Sequence, residues 1–315
     1  MVRRAAETDP HLAGRALAGL RVYQHLPRLG ARQTRPVLYQ CGAASLRDCG
    51  GSGKPIVLVP SLINPPHILD LDPGCSLADA LTTGGRVLLL DWGPAANRRL
   101  SLSGHVRELL NPLLANIPEP PILVGYCLGG TMALAAAGEI ATRGVVTLAS
   151  PWDFDGYPAD ARVAFARLWQ SSRSVAEALG ALPIEVLQAA FWSLNPDAVV
   201  GKYAELAMRD PTSPGVQRFV ALEDWANTGE ALPLAAAAEL VEQLFEKDQV
   251  AAGDWFSLPE VPTLHFTATG DRIVPAATVA PGERRSVPAG HVGMIVGRSA
   301  PAHLHAPLQH WLASH

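Results

Sequence analysis

Four stretches of the chain are apolar almost without interruption: "PIVLV" from residue 55, "VLLL" from 87, "ILV" from 122 and "VVTLA" from 145. Each is too short for a helix and is bounded by glycine, proline or aspartate, as suits strands buried on both faces of a parallel sheet. Helical spacing fills the gaps, over 76–81, 103–114 and 128–142. Strand–helix alternation of this kind predicts an α/β fold with a mostly parallel central sheet flanked by helices. The alternation stops after Ser150. Residues 155–255 read as helical, most clearly in "SVAEALGALPIEVLQAAFWSL" and "LAAAAELVEQLFEKD". Sheet character returns in "VPTLHFTATGD" and "ERRSVPAGH", and the helix "PAHLHAPLQHWLAS" follows. Near the start, Leu12, Ala16, Leu20, Val22 and Tyr23 predict a helix over 12–28 on the outside of the core. The expected organisation is an N-terminal helical segment over 1–53, a first core part over 54–154, a helical cap insertion over 155–255 and a second core part over 256–315. An insertion at that point covers the C-terminal ends of the strands, where open α/β sheets hold their ligands.

Charge and cysteine usage narrow the function classes. The 315 residues carry a net charge of −4 with no basic block, which argues against nucleic acid as a partner. The N-terminus carries Glu7 and Asp9 and leads into no apolar h-region, so no secretory signal is expected. The most apolar stretch, 124–138, is broken by glycines and too short to span a bilayer, so no transmembrane segment is expected and the predicted location is cytoplasmic. The four cysteines form no CxxC pair, so no metal site is expected. A bridge could join Cys41 and Cys49, but free thiols are the expectation in a reducing compartment.

The chemistry concentrates in "GYCLGG" at 125–130. A nucleophile elbow needs a strand, a sharp turn holding the nucleophile, and a helix beginning at once, with small residues two positions to either side. Here the strand ends at Tyr126, Gly125 and Gly129 flank Cys127, and "TMALAAAGEIA" continues as a helix. The helix start would aim backbone N–H groups at a reacting carbonyl, with Leu128 the first oxyanion donor. Read alone, the motif fits equally a small buried cysteine in a strand–turn. Its context favours catalysis, because on such folds the acid and then the histidine follow the nucleophile. Asp271 closes the strand "LHFTATGD", and twenty residues later His291 lies in the glycine-flanked loop "AGHVG".

Other residues are weighed against these. His265 falls inside a strand and reads as core. His303, His305, His310 and His315 read as solvated positions on the last helix, and His105 as a helix start. "GSGK" at 51–54 precedes a strand and lacks phosphate-loop spacing, so it reads as a turn. The second oxyanion donor is expected from the loop after the first core strand, at Leu62 or Ile63, since the prolines at 60, 65 and 66 cannot donate. Asn64, His67 and Trp152 are placed on the substrate lining, with His67 ranked below His291 as a base.

Taken together, "PIVLVPSLINPPHILDLDP", "VLLLDWG", "GYCLGGTMALAAA", "GDRIVP" and "GHVGMIVG" resemble the polyhydroxyalkanoate synthase family, especially its shorter-chain type, over residues 54–297. The resemblance implies an α/β-hydrolase fold, a triad of Cys127, His291 and Asp271, and hydroxyacyl-CoA substrates, with no cofactor besides the CoA thioester itself. It also implies that Asn64 and Asp70 shape the loop at the mouth of the site. The partners it implies are a second synthase subunit or a polyester granule surface, and a homodimer is a further arrangement. The sequence departs from the family at Leu62 in "PSLIN", in its compact Ala-rich insertion and in the short stretch before residue 54. The expected function is acyl transfer through an acyl-cysteine, because a thiolate exchanges one thioester for another without losing the activation of the acyl group. The alternatives are a Cys-dependent thioesterase or polyester/ester hydrolase, and a non-catalytic partner of a synthase.

Overall fold

A computed structural model describes residues 7–28, 32–194, 196–250 and 252–315. Among the described residues the strands are β1 (Val37–Cys41), β2 (Ala44–Gly50), β3 (Pro55–Val59), β4 (Arg86–Asp91), β5 (Ile122–Tyr126), β6 (Gly144–Leu148), β7 (Ala181–Leu182), β8 (Leu232–Pro233), β9 (Thr263–Ala268) and β10 (Glu283–Val287). Eight form one sheet in the order β1-β2-β4-β3-β5-β6-β9-β10. The pairs from β4 to β10 are all parallel, while β1–β2 and β2–β4 are antiparallel. The fold is that of an α/β hydrolase, as expected.

Burial explains why the apolar runs become the middle of the sheet. Every residue of β3, β5 and β6 is buried. Burying a Val, Leu or Ile side chain contributes about 1.5–3 kcal/mol, so these three strands fix the register of the rest. The connection leaving β3 goes to β4 on one side, and that leaving β5 goes to β6 on the other. The crevice beyond β3 and β5 is therefore the topological switch point, where such sheets place ligands.

Several expectations need correction. The segment before residue 54 is not only helical: it contains the β1–β2 hairpin, with Cys41 opposite Ala44. Its alternation is masked by Arg47 and Asp48, which reach ion pairs with Asp91 and Arg86. Cys41 lies at the turn and Cys49 toward the other end of the hairpin, and all four cysteines are free. His305 is buried, not solvated. The turn over 51–54 and the core position of His265 are as read, with the His265 ring held between Thr147 Oγ1 and the Pro281 carbonyl.

Packing also divides the chain along other lines than the sequence boundaries drawn above. One compact unit joins the N-terminal segment up to Gln33 with Glu185–Thr228; the other comprises Thr34–Ile184 and Gly229–His315. Within the second unit, β7 pairs with β8 and closes the neck from which 185–228 departs. Within the first, the helix Pro10–His25 lies on the helix Pro196–Leu206, with Ala16, Val200 and Ala204 buried between them. Tyr23 donates to Asp224 at 2.6 Å, and Glu223 accepts from Lys202 and Tyr203. The amphipathic face read in 12–28 thus covers part of the helical insertion.

Gly19 sets that contact, because a Cβ there would lie 1.7 Å from the Tyr203 carbonyl oxygen. Gly19→Ala is expected to destabilise this unit by about 1–3 kcal/mol, the usual effect of overpacking. Limited proteolysis should release the N-terminal helix earlier from the variant than from wild type; identical cleavage rates would refute the close approach.

Candidate active site

Strand β5 ends at Tyr126 and the helix Leu128–Ala137 begins two residues later, leaving Cys127 alone in the turn. Its backbone sits at φ 54° and ψ −133°, a conformation that costs a non-glycine residue about 1–3 kcal/mol. Surrounding contacts impose it. The Cys127 N–H donates to Leu148 O at 2.9 Å, and Gly130 N–H donates to Cys127 O at 2.9 Å. A Cβ on Gly125 would lie 2.3 Å from Gly130 Cα, one on Gly129 2.2 Å from Val59 O, and one on Gly130 2.0 Å from Ser150 Oγ. Gly125 and Gly129 are therefore required by close approach of backbone, and Gly130 by the Ser150 side chain, a contact that the motif alone does not reveal.

The other two chemistry-bearing residues arrive from strands beyond β6. Asp271 follows β9 and His291 follows β10. His291 Nδ1 lies 2.7 Å from Asp271 Oδ2, and the Asp271 side chain is fully buried. A carboxylate only accepts, so Nδ1 carries the proton and Nε2 is left for Cys127, with which His291 shares a side-chain hydrogen bond. The other Asp271 oxygen accepts from the N–H groups of Ile273 and Val274, at 2.8 and 3.0 Å. The aspartate is thus oriented by its own turn, which is the structural content of the "GDRIVP" segment.

Two tyrosines border this group. The Tyr126 ring lies 5.1 Å from the His291 ring, and its hydroxyl donates to His291 O at 3.4 Å. Tyr157 packs on Phe154 and Phe245. Burial, together with the charges of Cys127 and Asp271, pushes both phenols well above their ordinary range. Neither tyrosine was singled out from the sequence. Tyr126 could have been, as the neighbour of the nucleophile, whereas Tyr157 depends on the path of the chain after β6.

The loop after β3 supplies the facing wall. Trp92 Nε1–H donates to Pro60 O at 3.0 Å, and Glu230 N–H to Ile63 O at 3.0 Å. The Ile63 N–H is turned onto Ser61 Oγ at 3.4 Å. The Leu62 N–H has no hydrogen-bond partner among the described residues, although Leu62 is buried. Leu128 occupies the first position of the elbow helix, where an N–H finds no carbonyl one turn earlier. Of the two loop candidates, Leu62 is thus the one with an open donor.

The remaining predicted residues separate. Trp152 is buried, its N–H on Thr278 O and its ring 6.4 Å from that of Trp255. Asn64 lines a cavity of about 480 Å³ together with Leu62 and Ile63, and neither Cys127 nor His291 borders that cavity. His67 is exposed at the helical turn Pro66–Asp70. Asp70 is buried and receives both Arg35, at 2.8 Å, and the Ser76 hydroxyl, at 2.6 Å, so it anchors that turn. Among the described residues no group of three or more His, Cys, Asp or Glu is arranged to hold a metal ion, and no helix is long and apolar enough to cross a membrane.

Burial alone would lower the His291 pKa. The facing Cys127 sulfur and the Asp271 carboxylate overcome it and raise it to about 10. A folded-state value above the unfolded value, about 6.5, means that protonation stabilises the fold. That contribution is complete below pH ~6.5 and is lost as pH rises through about 10. Asp271→Asn removes one of its causes. The stability difference between wild type and Asp271→Asn should therefore narrow between pH 7 and 10, as read from urea midpoints. A difference that stays constant with pH would refute the assignment.

Residues 23–303 match the alpha/beta hydrolase family. A poly(3-hydroxyalkanoate) polymerase subunit PhaC from Haloferax mediterranei is 25% identical over 287 residues, covering 82% of this chain and 58% of that protein. Its counterpart from Synechocystis sp. is 26% identical over 294 residues, covering 82% and 77%. The chain thus spans less than two thirds of the Haloferax relative, and its resemblance to polyhydroxyalkanoate synthases extends well beyond the motifs. Among solved structures, a hydrolase from Pseudomonas aeruginosa aligns with a TM-score of 0.57 at 20% identity, covering 85% of this chain and 94% of that one, a likeness of fold. With the sheet order, the elbow and a family match over most of its length, the chain belongs to the alpha/beta hydrolase family.

Proposed function

We propose that the protein is an acyltransferase that takes hydroxyacyl groups from CoA thioesters through a covalent acyl-cysteine on Cys127, in the manner of polyhydroxyalkanoate synthases. The observation that carries this reading is the chain of contacts from Cys127 to His291 to Asp271, built on a positive-φ elbow. The similarity to polymerase subunits supports the choice of thioester substrate.

In this reading Cys127 gives its proton to His291, whose raised pKa holds it as an imidazolium. The sulfur attacks the thioester carbonyl, and the developing oxyanion is received by the N–H groups of Leu128 and Leu62. The carbon–sulfur bond to CoA breaks, and His291 Nε2 passes its proton to the departing thiolate. The now neutral imidazole takes a proton from the hydroxyl of a second acyl group. That oxygen attacks the acyl-Cys127 carbonyl, an ester forms, and the cysteine leaves as thiolate beside a restored imidazolium. Asp271 orients the ring throughout and favours its charged form. If water takes the place of the hydroxyl, the same steps release a free acid, the thioesterase alternative.

The site supports transfer over hydrolysis through its surroundings. Phe154, Tyr157 and Phe165, at the start of the helical insertion, pack in one cluster with Phe245 near its end, with ring separations of 4.6–5.9 Å. An aromatic wall near the acyl group limits the water that reaches it. The cytoplasmic location, a second synthase subunit or granule surface as partner, and self-association belong to this same proposal and stand or fall with the activity.

Two measurements test it. With 3-hydroxybutyryl-CoA, CoA release followed by thiol dye should be accompanied by ester-linked oligomers in the mass spectrum and be abolished in Cys127→Ala. Free 3-hydroxybutyrate matching all the CoA released rejects transfer and favours the thioesterase. No difference between wild type and Cys127→Ala rejects both and leaves the non-catalytic partner. Separately, mild iodoacetamide should label Cys127 first. Cys75 is buried, and burial, with the charge of Asp70, pushes the Cys49 thiol up to about 12. Labelling of the other cysteines ahead of Cys127 contradicts its assignment as the nucleophile.

A further inference from the structure

The loop that carries Leu62 is held on one side by packed backbone and on the other by very little. Toward the elbow, Gly129 presses against the carbonyls of Val59 and Pro60. On another face the loop borders the 480 Å³ cavity, whose lining includes Leu62, Ile63, Trp92, Arg98 and Glu230. A backbone segment that must place an N–H to within about 0.5 Å of its productive position cannot rely on packing where there is a void. Something must span it.

The span is a relay of hydrogen bonds that starts far from the chemistry. Burial, with the nearby Arg98 charge, keeps the His105 pKa down at about 4, so the ring is neutral. Its Nδ1–H donates to Ser101 O at 2.7 Å, which leaves Nε2 as the acceptor for Arg98 Nη1 at 3.1 Å. The Arg98 side chain is 2% exposed and also donates from Nε to Gly93 O. Its remaining nitrogen reaches Glu230 Oε2 at 3.4 Å, and the same oxygen accepts from Ala95 N–H. Glu230 then donates its own backbone N–H to Ile63 O at 3.0 Å. Three of these residues, His105, Arg98 and Glu230, have no part in the triad.

The geometry points to Glu230 as a positioning residue for the oxyanion loop: its carboxylate, pinned by Arg98 and Ala95, fixes the backbone that holds the Ile63 carbonyl and so aims the Leu62 N–H. This deepens the acyl-transfer reading and rests on it for the role of Leu62. The relay also spans the chain, since Glu230 precedes β8 while Arg98 follows β4. Glu230→Ala frees the strut, whereas Glu230→Gln keeps an oxygen for Ala95 and Arg98.

The test separates acylation from sulfur reactivity. Acylation of Cys127 by p-nitrophenyl butyrate needs the oxyanion donors, but alkylation by iodoacetamide does not. In Glu230→Ala, acylation is expected to slow about ten-fold with KM within two-fold, since small misplacements of donors carry penalties of this order. Glu230→Gln should recover to within about three-fold of wild type, and alkylation should match wild type in both variants. Hydrogen exchange of the peptide covering 60–66 should quicken in Glu230→Ala and return in Glu230→Gln. Unchanged acylation, or acylation and alkylation falling together, overturns the proposal. If wild type shows no more acylation than Cys127→Ala, the proposed function fails instead. The exchange result then decides the strut alone: quicker exchange in Glu230→Ala upholds it, and unchanged exchange overturns it.

Discussion

A backbone-to-backbone contact organises the site. Where β5 turns into its helix, Gly129 lies against the carbonyls of Val59 and Pro60 at distances no side chain could share. This contact brings the start of the elbow helix onto the end of β3, so that Leu128 and the 60–66 loop face one another across the switch point of the sheet. The strain at Cys127 follows from it. The turn must be tight enough to start a helix immediately after the strand, and φ 54° is the conformation that does so. The cost is met by the core on both sides, because β3, β5 and β6 are buried along their whole length.

The two sides of the crevice are built differently. On the β6–β9–β10 side Asp271 and His291 are fixed by short, partly buried bonds. Asp271 is locked by two N–H groups of its own turn, and His291 by Asp271 and the face of Tyr126. Such a cluster holds an imidazolium well because the neighbouring negative groups outweigh the penalty of burial. On the β3 side the loop is rich in proline, which removes donors and stiffens the chain but leaves the N–H of buried Leu62 without a partner among the described residues. A buried N–H left open costs about 1–3 kcal/mol, a cost that an arriving oxyanion relieves. The His291–Asp271 side is therefore pre-paired, whereas the β3 side offers the open N–H that the proposed reaction would use.

Legibility in the sequence tracks how local the determinant is. The buried strands could be read because complete burial leaves an uninterrupted apolar run. The elbow could be read because its glycines, its nucleophile and its helix lie within a few residues. Asp271 and His291 were reachable from chain order, since a strand end and a glycine-flanked loop mark them. The β1–β2 hairpin was not legible, because Arg47 and Asp48 replace its apolar face and their partners, Asp91 and Arg86, lie on another strand. Placing the N-terminal helix on the insertion depended on Gly19 meeting Tyr203, a contact between residues far apart in the chain. Choosing Leu62 over Ile63 required knowing that Ser61 turns its hydroxyl back on Ile63 N–H.

The use of a thiol at the elbow is consistent with this division. A serine would need its proton removed during the attack, so the histidine would have to be neutral beforehand. In the proposed reaction, a histidine whose pKa is raised by the facing sulfur and by Asp271 suits a nucleophile that passes its proton on before it attacks. Such a pair has a proton ready for the leaving group from the first step, and for a thioester that leaving group is itself a thiolate. The raised affinity of His291 for its proton, which would hinder a serine hydrolase, therefore matches the exchange of one sulfur for another at an acyl carbon. In the proposed reaction the burden of discrimination then passes to the loop that carries Leu62 and to the walls that decide whether a hydroxyl or water arrives second.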